Sequence, residues 1–182
     1  METRLRIVLG VMMGIALIID QGCAPAKKNW VSNPMFQSAH NAYYNARIEP
    51  LTRDHDFFVS FRLMVSNKMD RNLAIDWNKT LYIHNGRTRA GFVFKGIKPE
   101  DVKNSTIPSD TILAGGFFSK EIMPYKLLAR APIGDRGKGM NESGIQPGIL
   151  PNGENGILLV VRQNGEEIIE KITLNIEEKE SR

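Results

Sequence analysis

The stretch from Phe57 to Ser66 constrains this chain more than any other, because its apolar residues repeat at every second position. Phe57, Val59, Phe61, Leu63 and Val65 fall on one face, and Ser60, Arg62 and Ser66 fall on the other with Phe58 and Met64. A period of two belongs to a strand with one face buried, whereas a helix repeats at about 3.6. Polar turn residues then interrupt the run over 67–72, after which Leu73, Ile75 and Trp77 resume the odd-numbered apolar face and a strand-like segment follows over 80–83.

The remainder reads in the same terms. Residues 42–51 form a strand with Tyr44, Ala46 and Ile48 on one face, closed by Pro50, which lacks the N–H that a central ladder needs. Asn85-Gly86 marks a hairpin between 81–84 and 88–95, with Phe92 and Phe94 sharing a face. A loop or single helical turn spans 96–101, and the Ser-Thr-Ile-Pro-Ser run within 104–111 suits a sheet edge. Residues 117–123 and 125–131 give two more strands. At the end of the chain an apolar strand over 157–162 turns at Asn164-Gly165 and returns over 166–176, with Ile168, Ile172, Leu174 and Ile176 facing inward and Glu170 as the exception. The run 157–161 is apolar on both faces and belongs in a sheet interior. About seven to nine short strands, and no convincing amphipathic helix after the first residues, predict an all-β fold: an antiparallel β-sandwich of immunoglobulin-like kind.

A length of 182 residues fits one such domain and a leader. The 42% hydrophobic and 24% charged content excludes a wholly disordered chain. The 24 basic and 20 acidic residues are intermixed, Lys27-Lys28 is the one adjacent basic pair, and Glu177, Glu178 and Glu180 make the end acidic. Nucleic-acid binding wants a concentrated basic stripe, so no nucleic-acid partner is expected.

The start of the chain has the form of a helical signal peptide. Arg4 and Arg6 precede an uncharged apolar run, Ile7 to Ile19, of 13 residues, whereas a helix crossing a bilayer needs about 18 or more. Gly22 and Cys23 follow directly. In its basic start, apolar length and small residue before cysteine, this segment resembles a bacterial lipoprotein precursor, although Asp20 and Gln21 stand where that family has an aliphatic and a small residue. The resemblance implies cleavage before Cys23, a diacylglyceryl group on its thiol, and acylation of the new amino terminus. Each buried methylene is worth about 0.8 kcal/mol, so two or three chains anchor a protein durably where one does not. The resemblance further implies a membrane partner, and Ala24 after the cysteine is compatible with the outer membrane of a Gram-negative cell. Ala24-Pro25-Ala26 also satisfies the small-x-small rule for ordinary cleavage, which would release a soluble secreted or periplasmic protein beginning at Lys27.

The expected organisation is a signal peptide over 1–22, a tether over 23–41, the sandwich over 42–178 and a tail over 179–182. Trp30 and Phe36 in the tether are expected to fold back onto the domain. The segments Val65-Ser66-Asn67, Leu73 to Trp77 and Ser105-Thr106-Ile107-Pro108 are together similar to immunoglobulin-like domains of bacterial envelope lipoproteins.

No linear motif for catalysis, cofactor binding or metal ligation stands out. The one cysteine excludes an intrachain disulfide and a multi-cysteine metal site. Asp54-His55-Asp56 is a possible metal or acid–base group, but neighbours along a strand point to opposite faces. His40 and His84 stand apart from it. In Asp76-Trp77-Asn78-Lys79, Trp77 reads as a core anchor with Asp76 and Asn78 on a wet face. Gly134 to Gly139 lacks the spacing and the Ser or Thr of a phosphate loop. The Gly- and Pro-rich stretch 132–156 is the best candidate for a binding loop. The leading expectation is therefore a lipid-anchored envelope module, binding or structural, with an envelope protein or peptidoglycan as partner. Two alternatives are an exported hydrolase with carboxylates dispersed in the sequence, and a soluble carrier of a small apolar ligand. The hydrolase needs converging acids in a cleft, and the carrier needs a sizeable pocket between the sheets.

Overall fold

The computed structural model describes residues 28–53, 57–97, 99–130 and 145–180. Cys23 and the leader, Asp54-His55-Asp56, residues 131–144 of the Gly-rich stretch and the last two residues lie outside that set. Residues Lys28–Lys179 make one compact unit, and it is an antiparallel β-sandwich.

One sheet is built on the alternating segment. β2 (Gln37–His40), β3 (Tyr44–Arg53) and β4 (Phe57–Asn67) form a meander. β10 (Phe117–Pro124) pairs with the far side of β4, and β8 (Phe92–Val93) pairs with β10. In the second sheet β1 (Lys28–Asn33), β14 (Glu166–Glu180) and β13 (Gly153–Gln163) run side by side. The free side of β13 is shared by β5 (Leu73–Ile75) and β6 (Leu81–His84), and β9 (Asp110–Ile112) and β7 (Arg87–Thr88) complete the sheet beyond them. β11 (Ala129–Arg130) and β12 (Ile145–Gln146) form a separate pair, and α1 (Pro99–Lys103) is a single helical stretch. Among the described residues eight strands have four or more residues and six are shorter.

The odd-numbered face of β4 does what its pattern predicts. Val59, Phe61, Leu63 and Val65 are buried, joined by Tyr44, Ala46 and Ile48 from β3, against Ile75, Ile157, Leu159, Val161, Ile172, Leu174 and Ile176 of the opposite sheet. Phe61 meets Tyr82 across the interface at 6.5 Å, and Tyr82 meets Phe92 edge-on at 6.3 Å. At roughly 1.5–3 kcal/mol for each large side chain withdrawn from water, this shared layer is the main favourable contribution to the fold.

Four expectations need correction. Residues 28–40, assigned to a tether, instead supply β1 and β2; Trp30 packs on the core and Phe36 lies under the Arg47 guanidinium at 3.5 Å. Pro50 does not close β3, which continues to Arg53 opposite Phe57. Because β2 reaches only to Ile48, β3 has a neighbour on one side at Pro50, where a missing N–H is tolerated. The segment 88–95 is not one strand: only Arg87 and Thr88 pair with β6, and Phe92-Val93 cross to β10 in the other sheet. The expected strand over 125–131 begins instead with a 3-10 turn, Tyr125–Leu127.

Asp76 needs correction as well. It is 3% exposed, not on a wet face. Its carboxylate accepts from the Asn78 N–H at 3.1 Å and sits 3.3 Å from Arg162 of β13, while its carbonyl accepts from Thr80 N–H at 2.9 Å. The Thr80 hydroxyl in turn accepts from Val160 N–H at 3.1 Å. This tight turn lets β5 and β6 both pair with β13, one after the other. Trp77 at its tip is a core anchor as expected, packed on Phe94 at 4.8 Å with its indole N–H donating to Asp110 at 2.8 Å. Lys120, from the other sheet, pairs with the same Asp110 and lies over the Phe94 ring at 4.1 Å, tying the sheets along that edge.

Replacing Asp76 with Ala removes a buried acceptor from the Asn78 N–H and from Arg162 and should lower stability by about 1–3 kcal/mol. Asn78→Ala, which also breaks the exchange of bonds between its exposed side chain and the Ile107 backbone, should cost less. Urea unfolding of the two variants checks the order.

Candidate functional site

The concave site is a cleft of about 290 Å³ at the end of the sandwich where β6 finishes and β13 begins, lined by Tyr82, His84, Arg89, Lys126, Leu127 and Pro151. Its shape follows from the chain crossing between sheets. β6 sends Tyr82 and His84 to one face, two residues apart, with rings nearly parallel at 9°. After β7 the Arg89 N–H donates to Tyr82 O at 2.7 Å, and Tyr125 N–H of the opposite sheet donates to Gly91 O at 3.0 Å, so residues 89–91 bridge the two layers. The 3-10 turn that follows β10 then brings Lys126 and Leu127 in from the first sheet.

The rim at Pro151 is held by a buried amide. Asn155, fully enclosed, accepts from the Tyr82 hydroxyl at 2.5 Å and donates to the carbonyls of Pro151 at 2.7 Å and Gly153 at 2.9 Å. Burial holds the Tyr82 hydroxyl well above the ordinary tyrosine range, against partial relief from the charge of Arg89, so it stays neutral and serves as a donor. Gly148 passes so close to Leu127 that a Cβ there would lie 1.8 Å from the Leu127 carbonyl oxygen. His84 Nε2 is 3.2 Å from the Asn152 carbonyl, and since a carbonyl only accepts, Nε2 carries the hydrogen.

The charge of the cleft is one-sided. Its lining includes an arginine, a lysine and a histidine and no carboxylate. Among the described residues neither Arg89 nor Lys126 has an ion-pair partner, whereas Lys79, Lys120, Arg162 and Lys171 each have one. The nearby Glu154 points to the outer face of β13. There it takes Lys171 at 2.8 Å and the Gly86 N–H at 2.7 Å, clamping the Asn85-Gly86 turn. Those bonds, Lys171 first, hold its carboxyl below the ordinary glutamate value.

Of the residues weighed in the sequence, the structure brings only His84 and the 145–156 part of the Gly-rich stretch to this site. His40 lies on β2, bonded to Asn45 at 2.9 Å, and His55 is outside the described residues. Among the described residues no three His, Cys, Asp or Glu side chains are grouped to hold a metal. The converging acids that a hydrolase needs are not in the lining of the cleft, and the space between the sheets is filled by the side chains of the core. Arg89, Lys126, Leu127 and Asn155 carry no local signal of their roles, because the crossing that gathers them is a property of the topology. No family model matches the chain, and neither a curated protein nor a solved structure matches it.

Tyr82→Phe leaves the Asn155 carbonyl oxygen buried without its donor and should cost about 1–2 kcal/mol in chemical denaturation. Glu154 gives a separate expectation with a definite sign. Its carboxyl is lowered from 4.5 in the folded state, so its contribution is present above about pH 4.5 and lost as pH falls through the lowered value. Glu154→Gln should therefore be less stable than wild type at neutral pH, and the difference should shrink in thermal melts taken progressively below pH 4.5.

Proposed function

We propose that this chain is a bacterial cell-envelope protein, held to a membrane by lipid on Cys23, whose sandwich acts as a binding or structural module for a partner at that surface, an envelope protein or peptidoglycan. The reading is carried by the order of features along the chain: Arg4 and Arg6, the uncharged run Ile7 to Ile19, Gly22-Cys23, and then a strand starting at Lys28. The five positions from Cys23 to Lys28 can span at most about 18 Å, given a reach of about 3.6 Å per residue. A domain so tied works within roughly its own width of the bilayer. Its partner is then one that lies against the membrane, and the cleft is where a small group of that partner would enter.

A second reading keeps the module and removes the lipid. Cleavage after Ala26 would start the chain one residue before β1, leaving the sandwich entire as an exported soluble binding module. Intact mass spectrometry of the mature protein separates the two. A chain beginning at Cys23 with the added mass of a diacylglyceryl group is the expected result, and Cys23→Ser should move the protein from the detergent to the aqueous phase on partitioning. An unmodified chain beginning at Lys27 would replace the anchored reading with the soluble one.

A further inference from the structure

We propose that the cleft between Tyr82 and Lys126 is an anion site that takes the oxyanion of a small ligand group, a carboxylate or a phosphate ester, with an apolar or planar body behind it. This rests on the reading of the chain as a binding module and gives that module a ligand chemistry. Three observations converge on it.

The first is charge. A guanidinium, an ammonium and an imidazole line one concavity with no carboxylate among them, and neither Arg89 nor Lys126 is neutralised by a described neighbour. Close by, Lys171 is neutralised by Glu154, so the same end of the sandwich holds both a paired cation and the two that line the concavity. Two cations sharing an uncompensated concavity repel each other, and an entering anion relieves that repulsion. A guanidinium also offers paired N–H donors that match the two oxygens of a carboxylate or phosphate, which makes such a contact directional as well as attractive.

The second is rigidity. Arg89 is fixed at its backbone by the bond to Tyr82 O, and the Pro151 side of the cleft is held through Asn155 and the Tyr82 hydroxyl. The backbone of the walls therefore comes from both sheets in a set arrangement, and the ordering left to be done when a ligand enters is that of the exposed Arg89 and Lys126 side chains.

The third is size and surface. About 290 Å³ lies at the lower end of the range for small-molecule sites. Leu127, Pro151 and the near-parallel Tyr82 and His84 rings give an apolar wall beside the cations. Such a site suits a single charged group attached to a ring or short aliphatic body. It does not suit a bare ion, which would leave the apolar wall unused, or a long chain.

The test uses the full chain, labelled with 15N, in nonionic detergent at low ionic strength. It is titrated with benzoate, with phenyl phosphate and, as the neutral control, with benzyl alcohol. Saturable shifts of the His84, Arg89, Lys126 and Leu127 amides with the anions, at affinities at least tenfold above that for the alcohol, are expected. Arg89 and Lys126 are both exposed, so the double variant R89Q/K126Q should fold normally. It should bind the anions at least tenfold more weakly while its affinity for the alcohol stays the same. A tenfold preference for phenyl phosphate would identify a phosphate ester as the source of the anion, and parity or a preference for benzoate would identify a carboxylate. No saturable shift with either anion, equal binding of the alcohol, or unchanged affinity in the double variant would overturn the proposal. Because the readout is binding in vitro, it fails independently of the mass measurement that tests lipid on Cys23.

Discussion

The sandwich depends on two apolar faces that have no stable existence apart. β4 carries one and β13 with β14 carries the other; closing them buries Phe61, Leu63 and Val65 against Ile157, Leu159 and Val161. Neither sheet could leave such a face in water, since each exposed large side chain would forfeit roughly 1.5–3 kcal/mol. The remaining elements are arranged around that contact. β13 is central because its backbone N–H and C=O groups are paired along both edges: β14 takes one, and β5 and β6 divide the other. Gly156, where an added Cβ would lie 2.2 Å from the Ile172 carbonyl oxygen, is what allows β14 to approach so closely there.

Once the faces close, the connections have to be fixed, and here asparagine does most of the holding. Asn67 is buried at the end of β4. Its amide donates to the carbonyls of Arg71 at 2.8 Å and Leu113 at 2.9 Å, with Ile112 O at 3.2 Å sharing one of the two hydrogens, while its oxygen accepts from Met69 N–H, so one side chain joins two separate turns. Asn41 accepts from the N–H groups of Tyr43 and Tyr44, and Asn78 exchanges two bonds with Ile107. An amide can donate twice and accept twice, so one residue satisfies several backbone groups that a turn leaves exposed to an apolar interior. These bonds add little individually beyond the cost of leaving their partners unmet, but that cost makes the arrangement of the turns unique.

Which parts were legible in the sequence follows from the range over which each signal acts. The alternation in β4 and the Asn85-Gly86 and Asn164-Gly165 turns are local. The structure has both hairpins, with φ of 47° and 73° in the first turn and 51° and 87° in the second. The strand in 28–33 was illegible because Lys28, Asn29 and Ser32 hide a pattern that makes sense only beside β14. Asp76 misled because period two continues past Ile75 in the sequence, while in space the chain has already turned and directs the carboxylate to Arg162. The crossing of Phe92-Val93 to β10 is likewise non-local, since Thr88 and Phe92 lie in one apolar-alternating stretch but pair with different sheets. The cleft inherits that opacity: Arg89 stands at the crossing, and Lys126 belongs to a segment that the sequence presents as another strand.

The two ends of the sandwich differ in kind, and the difference bears on function. At the end where β4 finishes, Asn67, Asn41 and the Lys68 N–H to Tyr43 O bond at 2.9 Å stitch neighbouring turns together, and Asn41 reaches across to Glu170 of β14 at 3.3 Å. The polar groups there satisfy one another, leaving little with which to hold a ligand. At the opposite end backbone bonds join the crossing segments, and Arg89 and Lys126 have no ion-pair partner among the described residues. A sandwich closed on its core can afford one such end, because the layer of Phe61, Tyr82 and Phe92 behind it already excludes water. Unmatched charge at the exposed Arg89 and Lys126 costs stability only through weak repulsion in solvent, while an arriving anion meets cations carried on a backbone already fixed. The open end is thus the part of the surface where binding can be selective without altering what holds the fold.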